Sequence, residues 1–349
     1  MTTIEIIHGD CLDFDPVEHG RKFQALIVDP PYSEHVHANI TSAGTMGGGS
    51  RGWHRQELSF GACTPELRAH IAAWAARVQG WALVYSDHES SHLWRAACAD
   101  AKSEYVRTLL AELEDDTPEG YAGSLPWERW SQPQKSGDRP TQGFEVVSLF
   151  WGRAHSRKTW NGPGSLTCLR HKCLRGADKH RSEKPLDQAL DLVSWFTNGP
   201  GVPWGEHPNI TVDGDEARVP VVERTPAAIV DGRAMTAVPS QNPFLPVLDL
   251  CVGSGTTAVA CSLLGVDCVG FELDPGNEGL AEFADQRAQA ALAGKLNKSD
   301  RERAERWVLA AIDEAERAPF PKAADGSDVK TWERAQRRLA RARVVGDKL

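Results

Sequence analysis

The chain has 349 residues, enough for one large domain or two smaller ones with well-buried cores. Hydrophobic residues make up 41% of the sequence and charged residues 25%, which is typical of a globular protein. The sequence contains no apolar run of the roughly 18 residues that a membrane span needs, and its start lacks the pattern of a signal peptide. We therefore expect a cytoplasmic protein without membrane contact. The net charge of −9 gives no sign of a general affinity for polyanions, although local charge matters more than the sum.

The N-terminal part of the chain predicts strands and helices in alternation. Residues 4–7 and 25–28 are short apolar runs typical of buried strands. Residues 33–61 are polar and rich in glycine, and we expect a mobile, functional loop there because so long a loop is otherwise uncommon. A helix is predicted to begin at Thr64, because its hydroxyl can cap the helix and is followed by a proline in the first turn and an early acid. The same reasoning predicts strands at 81–85 and 144–151 and a helix at 92–101, and leaves 105–113 ambiguous.

The alternation continues beyond the middle of the chain. A helix is predicted from Ser182, with Leu186, Leu190 and Val193 on one face. Residues 199–243 are rich in proline, glycine and alternating valines, and indicate an inserted segment that contains a hairpin. Strands at 245–250 and 266–271 flank a helix at 256–264. This pattern predicts an α/β fold built on a doubly wound, mainly parallel sheet.

Residues 281–349 predict a helical C-terminal extension after a first domain that spans 1–280. The tetrapeptide Ser299 to Glu302 fits a capping box and would start one helix. The last helix carries Trp332 and Leu339 beside several arginines. A packing helix with a charged outer face is the preferred interpretation, and contact with nucleic acid is the alternative. These helices are also candidates for forming a homodimer.

A basic stretch runs from Arg153 to Lys184, where only Asp178 and Glu183 oppose the positive charges. Residues 114–181, which include most of this stretch, are our candidate region for contacting a polyanionic partner. A solvated surface is the alternative. The cysteines are scattered, and most are expected to be reduced, buried thiols. Cys168, His171 and Cys173 offer metal ligands, but the sequence holds no second cluster to complete a zinc site, so we expect no metal.

A glycine loop follows the predicted strand at 245–250 and precedes a helix. Gly253 and Gly255 let the backbone approach a ligand, and the helix N-terminus offers amides to an anionic group. Glu272 ends the next strand, where its carboxylate would accept the two hydroxyls of a ribose. The spacing also fits the dinucleotide fingerprint of dehydrogenases, so the loop alone indicates only a nucleotide-like cofactor. The cofactor residues assigned here are Asp249, Gly253, Ser254, Gly255, Thr256, Thr257 and Glu272.

The tetrapeptide Asp29-Pro30-Pro31-Tyr32 follows the buried strand at 25–28, at the end of the strand where open α/β sheets hold their sites. The two prolines fix the backbone and hold its carbonyls still. The Asp29 carboxylate and the Pro30 carbonyl can then accept hydrogen bonds from both hydrogens of an amino group. Tyr32 offers an aromatic face to a planar ring. His35 and His37 follow the tetrapeptide and are candidates for lining the same pocket, although solvated loop histidines are the preferred interpretation. We assign Asp29, Pro30, Pro31 and Tyr32 to catalysis.

Together the two motifs resemble those of the DNA amino-methyltransferases, a family with a D/N/S-P-P-Y/F motif and a glycine loop. The resemblance covers most of residues 1–280, and the tetrapeptide comes first, as in the permuted β-class order. Gly9-Asp10-Cys11 is similar to the family's Gly-Asp turn, and HRSEKPL at 180–186 is similar to its His-x-x-x-Lys-Pro motif. Phe144-Glu145 resembles the segment that packs behind the target pocket.

The resemblance implies a Rossmann-like fold and S-adenosylmethionine as the cofactor. Asp10 and Cys11 would then meet the adenine of the cofactor, and Lys184 would precede a helix beside its methionine. DNA is the implied partner, with the target base flipped out of the duplex. The implied setting is restriction-modification in the host cytoplasm, for a protein encoded by a bacterium or a phage.

The implied reaction is methyl transfer to the exocyclic N6 of adenine. Aspartate at position 29, where N4-cytosine enzymes frequently have serine, favours adenine, and N4-cytosine is the alternative. RNA or protein glutamine is less expected because of the β-class order. A dehydrogenase would leave Asp29 to Tyr32 unused, and a non-catalytic nucleic-acid-binding protein stays open. The chain departs from the family in the intervening residues 199–243 and in Asp249-Leu-Cys-Val-Gly253, where Asp-Pro-Phe-x-Gly is commoner.

Overall fold

The computed structural model describes most of the chain, in ranges separated by gaps. The described residues are 2–16, 20–39, 41–45, 51–55, 61–114, 144–152, 161–162, 168–172, 183–199, 211–213, 216–218, 228–230, 233–235, 244–274, 279–318 and 327–349.

The strands and helices of the described residues have the following bounds. The strands are β1 Ile4–His8, β2 Ala25–Val28, β3 Thr41–Thr45, β4 Arg51–Arg55, β5 Trp81–Ser86, β6 Glu104–Glu114, β7 Phe144–Trp151, β8 Cys168–Lys172, β9 Thr211–Asp213, β10 Glu216–Arg218, β11 Ala228–Val230, β12 Arg233–Met235, β13 Val247–Asp249 and β14 Cys268–Glu272. The helices are α1 Glu34–Asn39, α2 Pro65–Ala75, α3 Ser91–Asp100, α4 Leu186–Phe196, α5 Thr256–Leu264, α6 Leu280–Leu292, α7 Lys298–Arg317 and α8 Ser327–Gly346, with a short 3₁₀ helix at Cys11–Asp13.

Eight of these strands form one sheet, in the order β1-β14-β13-β2-β5-β7-β6-β8. The pairs from β1 through β5 are parallel, as is β6 with β8, whereas β7 runs antiparallel to both of its neighbours. The prediction of a mainly parallel sheet in an α/β fold is thus confirmed. Every residue of β2 and β5 is buried, which explains why these strands are apolar throughout instead of alternating.

The order of the strands also places the site. The late strands β13 and β14 lie between the early strands β1 and β2, so distant parts of the sequence end side by side. Parallel strands end at the same edge, and ligands of open α/β sheets bind outside the carboxyl ends. The segments that follow β1, β2, β5, β13 and β14 therefore meet at one edge of the sheet.

Helices cover both faces of the sheet. On one face, Ile71 and Trp74 of α2 pack with Trp94 of α3 and with Phe14. On the other face, α4, α5, α6 and α7 share a core that extends to Ala342 and Val345 of α8. The Thr64 hydroxyl accepts a hydrogen bond from the amide of Leu67 at 3.1 Å, as its capping position predicts. The ambiguous segment at 105–113 belongs to the long strand β6.

Two segments that the sequence left irregular contain regular structure. In the segment predicted as a loop, 33–61, the chain forms α1 and an antiparallel pair of β3 with β4. Gly47 to Gly49 lie outside the described residues. In residues 199–243, β9 pairs with β10 and β11 with β12, both antiparallel. The short spacing between partner strands in each pair is that of a hairpin, as predicted for this segment.

The predicted capping box at Ser299 is wrong. Helix α7 begins earlier, at Lys298, and Asn297 caps it by accepting a hydrogen bond from the Asp300 amide at 2.8 Å. Asparagine serves this position at least as well as serine, so the pattern alone does not decide between the two starts. Helix α8 directs Arg341 inward, where it is buried and donates to the carbonyl of Thr197 at 2.9 Å. This contact agrees with the preferred interpretation of α8 as a packing helix.

Other sequence expectations concern membranes, metals and thiols. Among the described residues, no helix has the length and apolarity to cross a membrane. The same residues hold no cluster of three or more His, Cys, Asp or Glu side chains suited to a metal ion. The cysteines with described side chains are free thiols, and Cys11, Cys98, Cys261 and Cys268 are buried, as expected.

Candidate functional site

A cavity of about 400 Å³ opens at the carboxyl edge of the sheet. Both predicted motifs line it, together with the Gly-Asp turn after β1 and the segment before α4. Gly255 alone among the predicted site residues does not line the cavity. The predicted residues that do are Asp10, Cys11, Asp29, Pro30, Pro31, Tyr32, Lys184, Asp249, Gly253, Ser254, Thr256, Thr257 and Glu272.

Lys184 joins the tetrapeptide to the opposite wall of the cavity. Its ammonium nitrogen lies 2.8 Å from Oδ2 of Asp29 and 3.3 Å from Oε2 of Glu145. It also donates to the hydroxyl of Tyr32 at 3.2 Å. The segment after β2 and strand β7, which are distant in sequence, thus present their side chains to one cation just before α4. The sequence placed Lys184 in a basic surface stretch as well, but in the structure it is enclosed in this site.

Burial controls the protonation of this cluster. Removal from water raises the pKa of Asp29 to about 6, against the opposing pull of the Lys184 ammonium, and the negative charge of Glu145 adds to the rise. The pKa of Lys184 stays above its ordinary value although burial lowers it, because Asp29 and Glu145 stabilise its charge. Burial and the same two carboxylates raise the pKa of Tyr32. Lys184 is therefore a fixed cation, and Asp29 titrates near neutral pH.

Asp29, which lines the cavity, retains one acceptor atom without a partner among the described residues. Its Oδ2 atom is bound by Lys184, whereas its Oδ1 atom is buried and has no hydrogen-bond partner among the described residues. A buried carboxylate oxygen without a donor is unfavourable unless a ligand or water supplies one. The site thus offers a strong acceptor at the end of β2, held in place from its other oxygen.

Aromatic rings border the same part of the cavity. The Lys184 ammonium lies 5.2 Å from the ring centres of both Tyr32 and Tyr85, a distance at which a cation and a ring attract each other. The Tyr85 hydroxyl donates to Gln188 of α4 at 3.0 Å. The Tyr32 carbonyl accepts from the Cys63 amide at 2.9 Å, which brings the end of the 33–62 segment back to its start. Both rings are thus held from more than one side.

The glycine loop is shaped by a close approach between two helices. Gly255 has a φ of +86°, a conformation that glycine adopts readily. A β-carbon at this position would lie 3.0 Å from the backbone and side chain of Ala284 in α6. The amide of Gly253 donates to Oε2 of Glu272 at 2.6 Å, so the acid at the end of β14 holds the loop that follows β13. This is the side of the cavity predicted to hold a cofactor.

Three acidic groups surround this loop. The second oxygen of Glu272 accepts from the Asp274 amide at 3.2 Å. Asp249 accepts from the Cys251 amide at 3.1 Å, and burial raises its pKa to about 7. Asp10 caps the turn after β1 by accepting from the Leu12 amide at 2.9 Å. This acidic wall suits hydroxyl and amino groups better than phosphates, which distinguishes the loop from a phosphate-binding one.

Sequence reasoning missed several residues of the site. Glu145 was expected only behind the target pocket, yet it lines the cavity and pairs with Lys184. Glu183 and Tyr85 also line it. Tyr85 could have been found from its place near the end of a buried strand, and Glu183 from its position next to Lys184. The role of Glu145 could not, because the antiparallel insertion of β7 beside β5 is a tertiary feature.

Other residues that the sequence singled out lie elsewhere or outside the described part. His35 is exposed and lies 3.5 Å from Glu89. His171 on β8 contacts Asp187 and Asp191 of α4, both at 3.4 Å, and the two acids raise its pKa to about 9 against the lowering effect of burial. His171 therefore ties β8 to α4. The described residues do not include the side chain of His37, most of the basic stretch at 153–182, His180 or Cys173.

Comparison of the sequence with protein-family profiles and with curated proteins gives no match. Solved structures do match. M1.HpyAVI in complex with SAM has a TM-score of 0.47 and 18% identity, covering 81% of this chain and 99% of that one. A putative DNA modification methylase of Thermus thermophilus, TTHA0409, complexed with S-adenosyl-L-methionine, has a TM-score of 0.42 and 12% identity over 84% and 96% of the two chains. The cytosine-N4-specific PvuII DNA methyltransferase has a TM-score of 0.42 and 9% identity over 83% and 92%. At such low identities and scores these similarities concern the fold and say nothing of activity.

Proposed function

We propose that the protein is an S-adenosylmethionine-dependent DNA methyltransferase of the β class that methylates the exocyclic N6 of adenine. One observation carries the proposal: Asp29, whose Oδ1 has no hydrogen-bond partner among the described residues, and the glycine loop after β13 line the same cavity. An acceptor for an amino group thus lies in one enclosed space with a candidate cofactor loop. A dehydrogenase would have no use for Asp29 and Lys184 in these positions.

The residues present fit the cofactor. Glu272 ends β14 beside the glycine loop, as an acceptor for ribose hydroxyls should. Asp10 and Cys11 line the cavity after β1, where the cofactor's adenine would bind. Ser254, Thr256 and Thr257 line it at the start of α5, where the methionine carboxylate would meet helix amides. Asp249 supports the same loop from below.

Bound S-adenosylmethionine supplies an electrophilic methyl group to the reaction. The chain's own contribution is to orient the attacking amine: Oδ1 of Asp29 and the carbonyl of Pro30 accept its two hydrogens. This orientation would aim the nitrogen lone pair at the methyl group, which would pass to nitrogen as its bond to the sulfonium sulfur breaks and the neutral thioether leaves, and one proton of the amine would then pass to solvent. Lys184 holds the other oxygen of Asp29 at 2.8 Å, so the acceptor does not rotate away. Alignment and charge stabilisation therefore account for the catalysis, and no covalent enzyme intermediate is needed.

The target base is the finer part of the proposal. Aspartate at position 29 supports adenine over cytosine through the resemblance to the amino-methyltransferases, and N4-cytosine is the alternative. A base in duplex DNA must leave the stack, which costs roughly a few kcal/mol. Stacking on an aromatic ring such as Tyr32 would offset about 1–3 kcal/mol of that cost. Both candidate bases present an exocyclic amine of the same geometry.

The first test is transfer of a tritiated methyl group from S-adenosylmethionine to unmethylated genomic DNA, followed by mass spectrometry of the nucleosides. We expect labelled N6-methyladenine. Labelled N4-methylcytosine would keep the mechanism and overturn the base assignment. Absence of label in DNA, with cofactor binding confirmed by calorimetry, would redirect the search to RNA or protein amides.

Substitution of Asp29 tests the mechanism. We expect Asp29→Ala to abolish turnover, because the variant loses the oriented acceptor at Oδ1, while binding of S-adenosylmethionine survives. Calorimetry measures the binding, and the tritium assay measures the turnover. Full activity of this variant would contradict the assignment of Asp29.

A further inference from the structure

A buried ionic network lies directly behind the glycine loop. Its centre is Arg287, on α6, which is 7% exposed and does not line the cavity. An arginine presents five N–H donors in a planar fork, and burying it is favourable only when those donors are satisfied. The network is therefore defined by what each nitrogen of Arg287 contacts.

One side of the guanidinium holds the loop. Nη1 of Arg287 donates to the carbonyl of Ser254 at 3.1 Å, and it lies 3.3 Å from the Ser254 hydroxyl and 3.4 Å from that of Thr256. Ser254 and Thr256 both line the cavity on their other side. Arg287 thus ties down the residues that precede and begin α5, where Gly255 packs against Ala284 one turn earlier in α6.

The other side of the guanidinium reaches the segment that carries Lys184. Nη2 of Arg287 lies 2.8 Å from Oε1 of Glu183, the residue immediately before Lys184. Glu183 lines the cavity, and the charge of Arg287 opposes the rise in its pKa that burial causes. Arg287 therefore connects the glycine loop with the segment that carries Lys184, the lysine that holds Asp29.

A second counter-ion of Arg287, besides Glu183, comes from helix α7. Nε and Nη2 of Arg287 bind the two oxygens of Asp300 at 2.8 and 2.6 Å, a bidentate arrangement. Asp300 lies in the first turn of α7, is 2% exposed, and receives a further hydrogen bond from the side chain of Asn297 at 2.7 Å. The start of α7 is thus built around this one ion pair.

We propose that Arg287 is a positioning residue, which sets the glycine loop against the Glu183–Lys184 segment, and that Asp300 makes helix α7 an essential part of the cofactor site. This inference rests on the proposed function, since it assumes that the loop binds S-adenosylmethionine. It adds that helix α7 supports the cofactor half of the site through the buried Arg287–Asp300 ion pair. The geometry requires a fork, because three partners in three directions cannot be served by a point charge.

The test compares Arg287→Lys with Arg303→Lys. Arg303 is a matched control: it is also buried, and it lies on α7 and pairs with a carboxylate of α4, Asp187, at 3.1 Å. Lysine keeps the charge in both variants, which guards against loss of the fold. Thermal unfolding of each variant measures the loss of stability, and calorimetry measures the Kd for S-adenosylmethionine.

We expect Arg287→Lys to weaken cofactor binding by about tenfold or more, the effect of losing one charge-assisted hydrogen bond, and Arg303→Lys to leave the Kd within about twofold. In the methylation assay KM for the cofactor should rise in Arg287→Lys while KM for DNA stays unchanged. Equal Kd values in wild type and both variants, or equal weakening in both, would overturn the positioning role. Absence of cofactor binding by the wild-type chain would instead overturn the proposed function, so the two failures are distinguishable.

Discussion

At the scale of the residue, the site depends on how burial changes ordinary side chains. Asp29 in water would be ionised throughout the neutral range, with a pKa of 3.8, whereas in the cavity this pKa is about 6. Lys184 prevents a larger rise and fixes one of its oxygens. A single carboxylate thus becomes an oriented acceptor whose ability to accept a hydrogen bond depends on pH.

The pH dependence of turnover follows from this shift. Because the folded pKa of Asp29 is raised, the ionised acceptor is present above about pH 6 and is lost as the pH falls through that value. We expect kcat/KM to fall roughly tenfold per pH unit on the acid side, and a pH–rate profile measures it. The Asp29→Asn variant carries no titrating group at this position, so its pH–rate profile should not show the decline on the acid side. If the decline of kcat/KM on the acid side persisted in that variant, the decline would be assigned to another acid, such as Asp249 with its pKa of about 7.

At the scale of the element, the glycine loop depends on the distance between α5 and α6. Sequence reasoning identified Gly253 and Gly255 correctly as the turn between β13 and α5. It attributed both glycines to the approach of a ligand. In the structure Gly255 instead permits the approach of Ala284, and the loop is held from behind by Arg287. The partner helix of a loop cannot be read from the loop.

Substitution of Gly255 tests this close approach. Gly255→Ala places a β-carbon 3.0 Å from Ala284 at a φ of +86°, so we expect a loss of stability of about 1–3 kcal/mol together with weaker cofactor binding. Gly20→Ala is the control, because Gly20 also has a positive φ, +64°, but open space around it. Chemical denaturation compares the two. Equal losses of stability would show that only the backbone conformation matters and not the contact with Ala284.

At the scale of the whole molecule, the C-terminal extension belongs to the core. Trp307 of α7 is 3% exposed and its ring nitrogen donates to Asp191 of α4 at 2.7 Å. Arg338 of α8 binds the same carboxylate oxygen at 3.1 Å and lies 5.7 Å from the centre of the Trp307 ring. Helices α7 and α8 therefore stabilise the face of the sheet that α4 and α5 cover. A homodimer through these helices stays a prediction, which light scattering of the full chain can check.

Truncation of one tryptophan measures this contribution. We expect Trp307→Ala to lower the free energy of unfolding by about 3–5 kcal/mol, since it opens a cavity and leaves Asp191 short of a donor. Leu309→Ala on the same helix is the control, because Leu309 is 64% exposed and should change stability by less than about 0.5 kcal/mol. If both variants unfold at the same denaturant concentration, the extension is only peripheral to the core.

The sequence by itself determined the alternation of strands and helices, the α/β class and the two motifs, because these depend on local patterns of apolar residues, prolines and glycines. Only the tertiary structure decided that β7 lies antiparallel beside β5, bringing Glu145 to Lys184, and that Arg287 and Asp300 join the extension to the loop. These contacts join residues far apart in the chain, and their geometry depends on strand order and helix packing. The start of α7 could not be decided from the local sequence either, because Asn297 and Ser299 are both good caps. The buried ion pair of Asp300 fits the start that Asn297 caps.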